Sequence, residues 1–242
     1  MSIDRRHISV GGLEVEVIRK DIKNLHLGVY PPNGRVRVAV PRRVNDSAVR
    51  VAVVSRLGWI KRQRAEFASQ RRESPREMVS GESHYFLGKR YRLRVIKEKG
   101  TSKVVLRSRS FLELHVRPEL TVCQKEQALL RWYRVQLRQL IPPLIEKWQP
   151  ILGVNVAEWG IKKMKTRWGT CNIGARRIWL NLELSKKPSC CLEYVLVHEM
   201  THLLERHHND AFRRILDRHM PRWREYREKL AREPLAHEEW TC

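Results

Sequence analysis

The segment His198-Glu199-Met200-Thr201-His202 sets two histidines four residues apart, with a glutamate directly after the first. On a helix, positions i and i+4 share one face a turn apart, so both imidazoles can reach one metal ion at ~2.0–2.1 Å. Glu199 then points beside that ion. There a base can take a proton from water whose pKa the metal has lowered from 15.7 to about 7. The pattern is that of a one-metal hydrolase, with zinc as the expected ion, one per chain, and Glu199 as its catalytic base.

The residues around the motif predict a helix opening at Pro188-Ser189. Its apolar positions Leu192, Tyr194, Val195, Leu196, Val197, Leu203 and Leu204 lie nearly all round it, which predicts a buried helix. Burying His198, Glu199 and His202 without partners is costly, so a helix that carries them is expected to use them. The plainer alternative is a pair of core histidines bonded to backbone or carboxylate groups. Zinc hydrolases commonly take three protein ligands and leave the fourth position to water. The third can come from His207 or His208, just past the helix end, or from Glu225 or Glu228 after Pro221. Spacing alone leaves these open.

The rest of the chain must position this helix. The first forty residues alternate in short runs, Ile8 to Val10 and Leu13 to Ile18 around Gly11-Gly12, then Leu25 to Tyr30 and Arg35 to Val40 around Pro31-Pro32-Asn33-Gly34. Both read as β-hairpins of an antiparallel sheet. Asn45-Asp46-Ser47 starts a helical stretch with Val49, Val53, Leu57, Ile60 and Phe67 on one side and Arg and Lys on the other, read as one long basic helix to about Arg72. Tyr85 to Val95 and Lys103 to Val116 read as further strands, giving a sheet of five or six. Lys125 to Trp148 is helical, with a kink or restart expected at Pro142-Pro143. Strands follow at Trp159 to Met164 and Arg177 to Asn181, and then the metal helix. No internal repeat is evident. Trp59 and Trp132 are expected in the core. The fold class is therefore α+β: a β-rich antiparallel N-terminal half, residues 1–120, followed by a small catalytic domain, 121–242, with the metal on a buried helix.

Lys and Arg total 49 against 26 Asp and Glu, a net charge of +23. Such a field favours polyanions, so nucleic acid or a nucleotide is an expected partner beside a peptide or protein substrate. A solvated basic surface with no such partner is the simpler explanation. The five cysteines include no Cys-x-x-Cys pair, and no disulfide framework or cysteine zinc knuckle is suggested. No apolar run approaches the ~20 residues of a membrane span, and the N-terminal residues lack a signal-peptide core. A cytoplasmic protein without a membrane partner is expected.

Several runs together resemble the YgjP-like zinc metallopeptidase family, a minigluzincin relative of the SprT-like proteases. They are Met164-Lys165-Thr166-Arg167-Trp168-Gly169-Thr170-Cys171-Asn172, Tyr194 to His202, and Leu203-Leu204-Glu205 with His208, Asn209 and Phe212. Upstream, Gly34 to Pro41, Trp59-Ile60 and Phe86 to Leu93 fall in the family's order, so the resemblance covers nearly the whole chain. It implies a zincin-like catalytic domain with His208 as the third ligand beside His198 and His202, and His207 as an incidental neighbour. Asn209 would then cap the next helix and Pro221 would end it. Arg167-Trp168-Gly169-Thr170-Cys171 differs from the family's Arg-Trp-Gly-Ser-Cys only at threonine. Trp168, Gly169 and Thr170 are read as a wall of the substrate cleft, against the alternative of a packing turn, and Cys171 is not needed as a ligand.

The leading functional expectation is a zinc endopeptidase. The family is also connected with hydrolysis of nucleoside triphosphates such as UTP, which the positive charge suits, although no Gly-rich phosphate loop is present. A third expectation is a nucleic-acid-associated protease of the SprT-like kind, supported only by charge.

Overall fold

The computed structural model describes residues 4–30, 34–69, 76–164 and 167–231. The chain forms two compact units, one built on residues 1–73 and the other on 74–236. The expected boundary near residue 120 falls at Thr121, the N-cap of a long helix inside the second unit.

In the first unit β1 (Asp4–Val10) and β2 (Leu13–Lys20) pair antiparallel in the expected register, Val10 opposite Leu13. Gly11 and Gly12 both take positive φ, 57° and 76°, as a two-residue hairpin turn requires. β3 (His26–Tyr30) and β4 (Arg35–Pro41) form the second hairpin, whose Pro31, Pro32 and Asn33 lie outside the described residues. The sheet order is β1-β2-β4-β3, and its central pair, β2 with β4, is parallel. Val15, Val17, Val36, Val38 and Val40 are buried together with Val49, Val53 and Ile60 of the following helical segment.

That segment is two helices, α1 (Asp46–Val54) and α2 (Leu57–Ser69), rather than the one expected, and residues 70–72 of the expected helix lie outside the described residues. The break has a local cause. The Ser55 hydroxyl donates back to the Ala52 carbonyl at 3.0 Å, Arg56 N–H turns to Val53, and Gly58 opens the next stretch. Local serine bonds and a flexible glycine both compete with helix continuation. Trp59, expected in the core, is 39% exposed.

The second unit begins with β5 (Ser83–Phe86), β6 (Lys89–Lys97), β7 (Lys103–Leu106) and β8 (Phe111–Val116), in the order β5-β6-β8-β7 with a parallel β6–β8 centre. The strands thus make two four-stranded sheets, one in each unit, in place of a single larger one. Leu112, Leu114 and Val116 share a core with Leu129, Tyr133 and Leu137 of α3 (Val122–Leu152). α3 starts with a capping box between Thr121 and Gln124 and ends at Gly153 with φ 65°. It runs unbroken through Pro142 and Pro143, against expectation. The prolines remove two N–H donors, but Leu137, Ile141, Ile145, Trp148 and Leu152 stay buried along one stripe that holds the helix.

A three-stranded sheet follows in the order β10-β11-β9, from β9 (Glu158–Lys162), β10 (Gly169–Asn172) and β11 (Arg177–Asn181). A 3-10 turn (Leu182–Lys186) leads into α4 (Ser189–Thr201), then α5 (Asp210–His219) and α6 (Trp223–Ala231). Glu193 ties α4 to α3 by accepting from Lys147 Nζ at 2.7 Å and Trp148 Nε1 at 2.8 Å. Among the described residues no helix is long and apolar enough to cross a membrane.

The turn joining β5 to β6 docks on the start of α4. Leu87 and Gly88 take φ 48° and 77°. Their N–H groups donate to Ser185 and Lys186 carbonyls at 2.8 and 3.1 Å. A Cβ on Gly88 would stand 2.7 Å from Pro188 Cγ and 3.0 Å from its backbone nitrogen. Gly88→Ala therefore meets both an unfavourable φ and backbone it cannot displace. We expect it to lower unfolding free energy by about 2–4 kcal/mol, read as a reduced urea midpoint at unchanged m-value.

Candidate metal centre

α4 is buried on nearly every side, including Leu192, Tyr194, Val195, Leu196, Val197 and Met200, as the all-round apolar pattern predicts. Leu203 and Leu204 lie beyond its end, and Leu204 is 48% exposed, because the helix closes sooner than the apolar run. The Thr201 hydroxyl turns back onto the Val197 carbonyl, and Leu204 and Glu205 N–H groups fold onto the Thr201 carbonyl. The chain then reverses. Glu205 Oε1 accepts from His207 N–H at 3.0 Å, and Asn209 Oδ1 accepts from Phe212 N–H at 3.0 Å to cap α5.

This reversal carries His208 back to the helix. One ring nitrogen from each of His198, His202 and His208 lies within 4.8 Å of the others, the only such group of three or more metal-binding side chains among the described residues. His207 and the expected alternatives Glu225 and Glu228 are not in it. Glu225 is engaged by Arg222 at 2.7 Å.

The donor set fits a divalent metal ion. His198 Nε2 and His208 Nε2 face one another at 2.9 Å. His202 Nδ1 lies 3.1 Å from the Glu205 carbonyl, an acceptor that places the proton on Nδ1 and leaves Nε2 its lone pair. Ligands of a tetrahedral zinc ion at ~2.1 Å stand roughly 3.4 Å apart, within the range these nitrogens span. Burial pushes the His198 ring down to about 3, helped by His202, His208 and Arg227, so it is a neutral donor. Burial also lowers His208. Phe212, itself buried, packs on all three rings at centroid distances of 5.0, 4.8 and 4.8 Å and fixes their angles.

Glu199 is 6% exposed and sits beside this group. Burial raises its carboxyl to about 7, with Arg167 pulling the other way. Its nearest strand neighbour is Gly169, where a Cβ would lie 2.7 Å from both Glu199 Cγ and Oε1. Glycine at the head of β10 thus makes the space the carboxylate occupies. The cleft over the centre encloses about 670 Å³, and Trp168, Gly169, Thr170 and Cys171 form one wall of it. Burial of the Cys171 thiol, then the Glu199 charge, push it up to about 11.

A family model for the YgjP-like metallopeptidase domain matches residues 23–233. The chain belongs to this family. Nothing matches among the curated proteins or among the solved structures compared with it. Membership makes it a metallopeptidase-family hydrolase domain, and the three-histidine cluster is compatible with the metal that the family's name requires.

The cleft also holds residues that were not read as site residues from the sequence. Tyr194, read from sequence as core, lines it, and burial lifts its hydroxyl to about 12. The readable signal was its place four residues before His198, on the same helical face. Arg206 and Arg227 line it too. Arg227 lies one turn from Trp223 and Leu230, the buried side of α6, while Glu225 and Glu228 lie off that side.

One buried side chain holds the cleft wall in place. Asn181 is 0% exposed. Its Nδ2 donates to the Met164 and Arg167 carbonyls at 2.8 and 2.7 Å, and its Oδ1 accepts from Met164 and Glu183 N–H groups at 3.3 and 3.2 Å. Asn181→Ala strands these buried groups. A loss of about 2–5 kcal/mol in stability is expected, with faster hydrogen exchange at the Met164 amide than in the parent.

Proposed function

We propose that this protein is a zinc-dependent metallopeptidase in which His198, His202 and His208 hold one zinc ion and Glu199 is the general base. The observation that carries the reading is the convergence of three imidazole nitrogens and one buried carboxylate in a single cleft. When bound, the ion supplies Lewis-acid polarisation of a carbonyl and acidifies water. Glu199 takes the water proton and delivers it to the departing amine, the two roles of one carboxylate in amide hydrolysis. Gly169 keeps the carboxylate aimed, and Phe212 keeps the imidazoles in register.

The peptide substrate is supported by strand order. Among the described residues β10 pairs with β11 on one side only and lines the cleft, so its other edge offers backbone N–H and C=O groups beside Glu199. An extended peptide can add to such an edge as a further strand. A nucleoside triphosphate has no use for it.

Purified protein is expected to hold one zinc per chain by plasma mass spectrometry and to cleave peptides. Glu199→Gln should keep the zinc and lose peptide cleavage by about 10²–10⁴-fold, whereas His202→Ala should lose the zinc itself. Release of phosphate from UTP that survives in neither variant, with no peptide cleaved by the parent, would replace peptide with nucleotide as substrate. Gly169→Ala should retain zinc and slow cleavage by roughly 10²-fold, the cost of displacing a catalytic group by about 1 Å.

A further inference from the structure

Three guanidinium groups line the cleft: Arg167 just before β10, Arg206 in the reversal between α4 and α5, and Arg227 on α6. None of the three has a carboxylate partner among the described residues. Some arginines elsewhere in the same unit do pair, Arg177 with Glu158, Arg213 with Asp210, Arg222 with Glu225 and Arg224 with Asp217, while others such as Arg131 and Arg138 show no ion pair among the described residues, so the gathering of three in one concavity is the observation that counts. The cleft lining holds a single acid, Glu199, which is buried and committed to the metal side. The arginines also flank the centre from two directions. Arg227 acts electrostatically on Tyr194, His198 and His208, and Arg167 acts on Glu199. Unpaired guanidiniums gathered in a concave site raise the local concentration of anions and offer planar, two-pronged binding to carboxylates. Trp168, Val195 and Leu230 supply apolar surface between them.

The geometry points to a substrate that is an acidic polypeptide, with carboxylates close to the cleaved bond bound by Arg167, Arg206 and Arg227. This rests on the peptidase reading above. The carboxylates can be Asp and Glu side chains or the free C-terminus, and both present the same group to the arginines.

The test uses the zinc-loaded full chain and a proteome-derived peptide mixture, supplied once with free and once with amidated C-termini, with cleavage positions mapped by mass spectrometry. Acidic residues enriched about the cleaved bonds in both mixtures support side-chain recognition. Cleavage near C-termini that amidation removes supports recognition of the terminal carboxylate. Arg206→Gln and Arg227→Gln should each raise KM for an acidic peptide about tenfold relative to its neutral counterpart, the worth of one charge-assisted bond. In a parallel arm, zinc-loaded Glu199→Gln protein is titrated by calorimetry with an aspartate-rich peptide and its asparagine counterpart, with and without Arg227→Glu. Preference for the aspartate peptide should vanish in the charge-reversed protein. Cleavage with no acidic or terminal preference, or an aspartate preference untouched by Arg227→Glu, overturns the inference and leaves the peptidase reading standing. Arginine-dependent binding of the aspartate peptide in a parent that cleaves no peptide supports the anion-binding surface and rejects the peptidase reading.

Discussion

The second unit is arranged around one conflict: α4 is buried on nearly every side and yet carries two imidazoles and a carboxylate. Desolvation of these groups is the largest influence on His198 and Glu199, driving the first toward its neutral form and raising the proton affinity of the second. A helix of this kind persists only if each polar group has a defined use for its lone pairs or protons. His202 spends its Nδ1 on the Glu205 carbonyl, and His198 and His208 aim nitrogens at one another. His198 Nδ1 is buried with no hydrogen-bond partner, so the contact this ring makes is through Nε2, which faces the cluster. The same burial that makes the helix expensive makes neutral nitrogen donors, the form a metal requires.

Two sets of contacts convert that helix into a site. From one side, the Leu87-Gly88 turn hydrogen-bonds to the 3-10 turn and abuts Pro188, fixing where α4 begins. Glu193 anchors its first turns to α3. From the other side, Asn181 binds the backbone on both sides of the loop leading to β10, and β10 brings Gly169 against Glu199. The carboxylate is therefore set by a helix that carries it and a strand that makes room for it. The third imidazole depends on a separate device, the capped turn from Glu205 to Phe212, in which side-chain acceptors hold a reversal that backbone bonds alone do not close.

How much of this could be read from the chain differs by the kind of physics involved. The buried helix and the two imidazoles on one side of it were legible because a 3.6-residue period converts spacing directly into a shared face. The hairpin at Gly11-Gly12 was legible because positive φ at two successive residues has few sequence solutions. Which later histidine joins the cluster was not fixed by spacing: His207 and His208 differ only in which side of a tight turn they occupy, and the turn depends on the Glu205 and Asn209 side chains acting as acceptors. The break at Ser55 was hidden because a serine hydroxyl bonded to the Ala52 carbonyl and one glycine leave the apolar period of α1 and α2 intact. Continuity of α3 through Pro142 and Pro143 was hidden for the opposite reason, since a buried stripe from Leu137 to Leu152 outweighs two missing donors. Arg206 and Arg227 carried no motif at all, and only the packing of α6 and the reversal after α4 bring them to the cleft.

The two four-stranded sheets share one order, a hairpin on each flank and a parallel pair at the centre, although the sequence shows no repeat. Such a sheet asks little of a sequence: alternating burial in the central strands, met by Val15 and Val17 with Val36 and Val38 in one unit, and by Tyr91 and Leu93 with Leu112 and Leu114 in the other. Many residues satisfy that pattern, so shared topology leaves no shared letters. The first unit follows its sheet with two short helices, and no comparable metal-binding group is found among its described residues. The second extends its sheet with α3, a further three-stranded sheet and α4, and every residue of the candidate centre lies after Met164. The recurring sheet is thus a support, and the chemistry belongs to the elements that only the second unit adds to it.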